Sequence, residues 1–569
     1  MTNDFHRAIA LALILSLAAC GKRNEPADGS SAESAADKVF YGGAIYTGRA
    51  DRPTVEAVAV EGDRIVAIGA EALSERFSGP DTERINLNGA AMYPGFVDAH
   101  AHLLGIGMRE LTLNLEGVGS VSELVDIAAA AAQETEAGAV IFGRGWIETG
   151  WPEARFPNRA DLDAASTAHP IVFVRADGHA LVANSTAIEK AGVTRDTADP
   201  DGGRIERDQN GEATGMFIDN AMDLINALIA APTDAQKREA YEVAGAVYAS
   251  YGWTGLHNVS VDPADVSLME EEAAAGRLNI RIYNAIDRSG YDALAGAAPR
   301  VNNSGRIVTR AVKLYADGAL GSRGAALSEP YSDQPETSGL MLTSHEEMAP
   351  FLVEALKDGV QIATHAIGDR GNKLVLDWYE EAFNAVPVEE RKVANPRWRI
   401  EHAQILHKED IARFAKLGVI ASMEPSHAIG DLHFAPARLG DARLDGAYAW
   451  RSLLDSGAII AGGSDAPVER GDPLIEFYAA VARKDLDGNA GPDWRENEKT
   501  TREEALAMFT SANAFASFQE KDLGVIDVDK KADFTVFSKD IMTAPEEEIL
   551  TAKPVMTVVD GDLIFRAEE

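Results

Sequence analysis

Apolar residues in this chain fall into short runs bounded by polar turns, and the spacing of those runs predicts the architecture. Eight runs read as buried strands: MYPGFVDA, WTGLHNVS, NIRIYNAI, AVKLYAD, VQIATHA, WRIEHA, GVIASME and AIIAGGS. Stretches of helical periodicity separate most of them, among them EEMAPFLVEALKDG, KLVLDWYEEAFNAV and KEDIARFAKLG. Strands alternating with helices predict a parallel sheet of the α/β class. The two ends of the chain behave differently. VFYGGAIYTG, EAVAVEGDRIVAIGA, KKADFTVFS and PVMTVVDGDLIFRA alternate apolar and polar positions around Gly-Asp turns, as antiparallel strands do. Neither end holds enough strands for a stable sheet alone. Residues 39–92 and 522–569 are therefore expected to combine into one small β-sandwich domain, with residues 93–521 between them. The first and second barrel strands are separated by residues 103–252, far more than an ordinary βα connection, so a folded insertion is expected above the catalytic end.

Several of the strand candidates end in a side chain able to bind a metal. They supply His100 and His102, then Lys313, His365, His402 and Asp465. Functional groups at the carboxyl ends of several strands are the mark of a (β/α)8, TIM-like barrel. In an extended segment, residues i and i+2 share a face, so His100 and His102 can reach one ion. Any one of these residues has a plainer reading: a hydrogen-bonded structural histidine, a salt-bridged lysine, or an aspartate opening a turn. Their recurrence in order argues for one metal site.

The segments PGFVDAHAHL, VKLYADGALGSRGAAL, ATHAIGDR, IEHAQ and GGSDAPV resemble the amidohydrolase superfamily, in its branch of N-substituted formamide deformylase-like, metal-dependent hydrolases (amidohydrolase family 3). RGWIETGWPEARFPNRADLDAAS and RADGHALVANSTA, inside the expected insertion, are similar to the same branch. The resemblance spans residues 39–565. It implies two divalent ions, with zinc the expected metal, and a carboxylated Lys313 bridging them together with a hydroxide. One ion would be held by His100, His102 and Asp465, the other by His365 and His402. It also implies hydrolysis of an amide-type C–N bond in a small molecule, not a peptide bond of a protein, with Asp465 as catalytic proton shuttle. His179, Arg323 and His427 match polar positions expected to contact substrate. His257 is open to either a structural or a site role. Trp146, Trp151 and Phe156 are either an apolar wall or core. At Glu424 the branch more often has Gln, which loosens any transfer of substrate.

Two other functions deserve weighing. A mononuclear deaminase of the same superfamily needs a Glu in an HAGE-like motif, but here His365 is followed by Ala-Ile-Gly-Asp. A binding lipoprotein on a degenerate barrel should have lost ligands, and none is missing.

Composition is that of an ordinary globular protein, 46% hydrophobic and 25% charged. Ninety acidic residues against 53 basic ones give a net charge of −37, which disfavours nucleic acid as a partner. The first residues form an address. His6 and Arg7 precede an apolar stretch too short to span a bilayer, which ends Leu17-Ala18-Ala19-Cys20. This predicts a signal peptide over 1–19 and a lipidated Cys20, followed by a polar tether over 20–38. The expected location is the cell envelope, with the protein lipid-anchored to a membrane, and to the outer membrane on its periplasmic side in a Gram-negative cell. Cys20 is the single cysteine, so an internal disulfide, a Cys nucleophile and a Cys-ligated zinc are excluded. Nothing in the sequence decides between a monomer and a homo-oligomer.

Overall fold

The computed structural model describes residues 35–491 and 494–568. The expected signal peptide, Cys20 and most of the tether lie outside the described residues. Seven of the eight barrel strands form where the pattern placed them; of MYPGFVDA only the part from Phe96 lies in the barrel, while Met92–Pro94 belongs to the strand Ala91–Pro94 of the terminal sheet. The eight are β1 (Phe96–Ala101), β2 (Trp253–Val261), β3 (Arg281–Asp287), β4 (Ile307–Tyr315), β5 (Gln361–Ala366), β6 (Arg399–His402), β7 (Ile420–Met423) and β8 (Ile460–Gly462). Each pairs in parallel with the next in chain order.

The ring closes just beyond the end of β8. There Asp465 N donates to His100 O at 2.6 Å and His102 N donates to Ala466 O at 2.8 Å. Closure therefore happens through the ligand segments themselves. The physical reason the strands read as near-continuous apolar runs is burial on both faces. In β5 all six positions are buried, and in β6 and β7 all four are.

The chain ends combine as expected, but as one continuous eight-stranded sheet and not as two separate hydrogen-bonded sheets. Phe534–Phe537 pairs antiparallel with Ala91–Pro94, which stitches the C-terminal strands to the N-terminal ones. A bulge between Tyr41 and Ile45 lets the strand Lys38–Tyr46 pair first with Glu83–Asn86 and then with Ala91–Pro94. Phe40, Val58, Ile85, Phe534 and Val558 then share one core, so neither terminal segment can bury its apolar face without the other.

The insertion is narrower than 103–252. Helices Leu103–Leu111 and Asp234–Tyr251 pack on one another, and a Cβ at Gly107 would stand 1.9 Å from Ala240 O, which leaves no room for a side chain. Between them, residues 113–219 build a six-stranded sheet. Trp146 and Trp151 belong to its core, with Phe156 packed against it. Their indoles donate to Phe173 O at 2.9 Å and Val118 O at 2.7 Å. Of the two readings for these aromatics, core is the correct one.

Glycine at 463 is what allows β8 to close against β1. A Cβ there would stand 2.6 Å from His100 N and 3.0 Å from Asp98 Oδ1, both in the rigid centre of the ring. Gly463→Ala should open the seam at the ligand segment. We expect a lower melting temperature, equivalent to about 1–3 kcal/mol of overpacking, together with reduced metal content by elemental analysis. A variant with wild-type melting and full metal would show that the seam tolerates displacement.

Candidate metal centre

The centre is built from strand ends and the turns that follow them. His100 lies in β1, fully buried, and its Nδ1 donates to Glu401 Oε2 at 2.6 Å. His402 ends β6, and its Nδ1 donates to Glu424 Oε2 at 2.8 Å. With both Nδ1 atoms occupied, each ring offers its Nε2 lone pair. Imidazoles held by a carboxylate through the far nitrogen are the usual arrangement around a bound metal, because it fixes tautomer and orientation. His365, at the end of β5, turns Nε2 toward Gly318 O at 3.4 Å and leaves Nδ1 available. The rings converge: centroids are 4.8 Å apart for His100 and His402 and 4.6 Å for His365 and His402.

Asp465 completes the set from the turn after β8. Its φ of 60° is left-handed, a conformation that Asp tolerates better than most residues. The carboxylate lies 3.1 Å from His102 Nε2 and 3.6 Å from His100 Nε2. Ligand atoms of His100, His402 and Asp465 all lie within 4.8 Å of one another. His102 is the most open of the group, its side chain 28% exposed.

Lys313 comes from β4 into the same space, with Nζ 3.3 Å from His100 Nε2. Among the described residues this buried ammonium forms no ion pair. An unpaired buried cation is costly, and burial lowers the Lys313 pKa against the pull of Glu401, Asp465 and Glu424. A lysine so placed fits carboxylation, which exchanges a cation without a lone pair for two anionic oxygen donors.

Electrostatics favour neutral imidazoles. Burial first, then the neighbouring cations, hold His100 and His365 well below the ordinary histidine range. Burial does the same at His402, in spite of Asp465. Burial opposes ionisation of Asp465, but the hydrogen bond from His102 and the proximity of the His402, His102 and His427 rings outweigh it. Its carboxyl is held well below the usual range. Neutral imidazoles beside an ionised carboxylate are the protonation states that a divalent ion requires. The residues present therefore fit the metal centre.

A cavity of about 420 Å³ opens over this cluster, the size of a small-molecule site. Ile147, Thr149, Asp177 and His179, from the segment between β1 and β2, line part of it. His179 Nδ1 donates to Asp219 Oδ1 at 2.7 Å, and its ring sits 5.3 Å from that of His365. Burial opposes protonation of His179, yet Asp219 prevails and its pKa rises. His427 also lines the cavity, with Nε2 3.7 Å from Asp465 Oδ2.

Arg323 does not join them. It is absent from the cavity lining and its guanidinium is taken up by Asp333, 2.9 Å away. That pairing ties down the segment after β4. His257 proves structural, accepting through Nδ1 from Arg399 at 2.7 Å inside the barrel.

Several partners were not foreseen. Glu401 sits one residue before a ligand and was read only as part of a motif. Asp317 accepts the backbone N–H groups of Ala326, Ile367 and Gly368 at 2.8–2.9 Å, bracing the turn after His365. Burial pushes the Asp317 carboxyl up to about 7. Among the candidate ligands only His100, with Asp98, and His402, with Glu401, have another carboxylate within two residues, so no common sequence signal pointed to these partners.

A barrel with a His, Lys and Asp cluster at its strand ends defines a metal-dependent hydrolase of the barrel type. The chain belongs to the Amidohydrolase family, whose sequence profile matches residues 83–565. It is 34% identical to YtcJ of Bacillus subtilis over 93% of this chain and 99% of that protein. It is 26% identical to the N-substituted formamide deformylase of Arthrobacter pascens, over 93% of this chain and 98% of the other. The crystal structure of an uncharacterised metal-dependent hydrolase from Pyrococcus horikoshii superposes with a TM-score of 0.71 at 26% identity, covering 90% of this chain and 99% of that one. The protein is thus a hydrolase of carbon–nitrogen bonds.

Because Glu401 fixes the His100 ring, Glu401→Ala should weaken metal binding about 10–100-fold, the usual effect of losing such a partner. Competition with a chromophoric chelator measures it. Arg323→Ala, by contrast, should leave chelator competition at the wild-type value. A strong effect at Arg323 would restore it to the site.

Proposed function

We propose that the protein hydrolyses a small-molecule amide, of the N-formyl or N-acyl type, at a centre of two divalent ions, with zinc the metal expected. The carrying observation is the convergence of His100, His402 and Asp465 donor atoms within 4.8 Å, beside a buried Lys313 that forms no ion pair. His100, His102 and Asp465 would hold one ion and His365 and His402 the other, with carboxylated Lys313 between them. Ions so held supply hydroxide at neutral pH and polarise the scissile carbonyl.

The protein's own groups do the rest. Asp465 takes the proton of the attacking water and delivers it to the departing nitrogen. The C–O bond forms, the C–N bond breaks, and the amine leaves neutral. His427, 3.7 Å from the same carboxylate, steadies that side of the cavity. His179, fixed by Asp219, aims its free Nε2 edge at the substrate carbonyl. Roofing by the insertion limits water around the reacting atoms. The deaminase reading finds less support, since Asp369 is turned to Ser328 N at 2.7 Å and does not line the cavity.

The N-terminal pattern, an apolar stretch ending Leu17-Ala18-Ala19-Cys20, supports a lipid anchor at Cys20 and placement at the cell envelope. Cys20→Ser should then move the protein from the membrane fraction to the soluble fraction. Unchanged fractionation, followed by immunoblot, would remove the anchor from the reading.

Asp465→Asn keeps the shape and one oxygen donor but loses the base. With a general acid–base contribution of about 10²–10⁴-fold, kcat on N-formyl and N-acyl compounds should fall by at least that range while part of the metal is retained. Lys313→Ala should lose metal and activity, with partial recovery in short carboxylic acids. A fully active Lys313→Ala enzyme would sink the two-metal reading, and near wild-type turnover by Asp465→Asn would move the proton transfer elsewhere, His427 first.

A further inference from the structure

The cavity carries a charge imbalance that the metal centre does not use. Eight carboxylates and two arginines line it. Both arginines are committed: Arg175 to Glu148 at 2.8 Å and to Asp177, and Arg470 to Glu116 at 2.9 Å. On the wall formed by helices Pro425–Asp431 and Pro473–Ala482 the remaining carboxylates have no cation.

Glu476 is 1% exposed, yet it lines the cavity. Its Oε2 accepts the N–H of Ser426 at 2.9 Å, while its Oε1 has no partner among the described residues. The buried Ser426 Oγ and His427 Nε2, which line the same cavity, are without hydrogen bonds too. Glu469 faces this wall, with Oε1 3.7 Å from where a Cβ on Gly430 would stand. Among the described residues its side chain has neither a hydrogen bond nor an ion pair. Asp431 is held only by neutral donors, the Gln404 amide at 2.7 Å and the Tyr448 hydroxyl. Burial, reinforced by Asp431 and Asp465, pushes the Glu469 carboxyl up to about 7 even against the pull of His427.

A purely structural explanation accounts for part of this. Glu476 caps the backbone at Ser426, and one protonated buried carboxyl is tolerable. It does not account for Glu469, which braces nothing, or for three buried polar atoms left open toward one cavity. Buried polar groups are normally satisfied, and those that are not tend to meet a ligand.

We propose that this wall is a subsite for a cationic group of the substrate, a primary ammonium or guanidinium carried away from the scissile bond and held by Glu469 and Glu476. The proposal rests on the amide-hydrolase reading for where the scissile bond lies, but the cation site itself does not depend on turnover. Hydrogen bonds between charged partners exceed neutral ones, so discrimination of about tenfold or more is expected between a cationic ligand and its neutral isostere.

The test uses the metal-loaded full chain in two assays. In the first, kcat/KM is compared for N-formyl-diaminopentane and its isostere N-hexylformamide. In the second, calorimetry at neutral pH compares pentylamine with pentanol. The wild type should prefer the cation by at least about tenfold in both assays, and Glu469→Gln with Glu476→Gln should bring each ratio close to one. Melting curves check that the double variant folds; if it does not, Glu469→Gln alone should lower both ratios. Equal treatment of cation and isostere by the wild type, or ratios that survive in the variants, overturns the subsite. If neither formamide is cleaved while the pentylamine preference is present and lost in the variants, the subsite stands and the amide-hydrolase reading falls.

Discussion

The catalytic end of the barrel depends on one buried guanidinium. Arg399 enters the barrel interior from β6, essentially without solvent contact. Its Nε and Nη2 donate to the two oxygens of Glu401 at 2.7 Å each. The same side chain reaches Ala99 O at 2.6 Å, Ser422 Oγ at 2.8 Å and His257 Nδ1 at 2.7 Å. Four strands are thereby tied to one charge. A buried ion pair contributes little net stability against an apolar replacement, but removing one partner is severe, about 3–5 kcal/mol. What it supplies here is position. Glu401 balances Arg399 and accepts His100 Nδ1–H at the same time, so the charge beneath the barrel sets the orientation of a ligand above it.

From that anchor the protonation pattern follows. Arg399 balances Glu401 locally, and burial keeps the surrounding imidazoles neutral. Lone pairs of neutral rings and an ionised Asp465 then face one space. Lys313 is the exception to local neutrality: the nearest polar neighbour of its ammonium is an imidazole nitrogen. Burial lowers its pKa, and the carboxylation proposed above would replace that ammonium with oxygen donors among the same side chains.

The barrel was legible in the sequence because parallel strands buried on both faces leave continuous apolar runs, and each of the eight runs supplies a barrel strand. The candidate ligands stood out because a strand that ends in His or Lys inside such a run has no ordinary surface explanation. Arg323 lies outside the cavity lining. Its segment, GSRGAAL, leaves the barrel in an irregular turn, and only coordinates show that its side chain turns to Asp333. Trp146 and Trp151 were ambiguous because aromatic residues pack equally well in a pocket wall or a core. The six-stranded insertion could not be read as a sheet of its own, since its strands are short and three of its pairings, such as Ile141–Trp146 with Ile171–Arg175, join strands far apart in sequence. The carboxylates behind the histidines were invisible for another reason: a Glu beside a His in a strand carries no pattern, and its meaning is set by the strand next to it.

Glu424 shows what such a neighbour contributes. The resemblance to the formamide deformylase-like branch leads to an expectation of Gln here, and either residue can accept His402 Nδ1–H. The difference lies in the second oxygen. Gln would present a donor there, whereas the Glu424 carboxylate lies 2.8 Å from His402 Nδ1, 3.6 Å from His427 Nδ1 and 3.9 Å from His100 Nδ1. Burial, reinforced by Asp465, Glu401 and Glu476, pushes this carboxyl well above the ordinary range. A fixed amide would satisfy His402 at no such cost. The acid instead couples two ligand histidines to His427 on the cavity wall. A carboxyl at this point therefore shares its electrostatic surroundings with Glu476 of the cavity wall, and burial together with the neighbouring acids disfavours its ionised form.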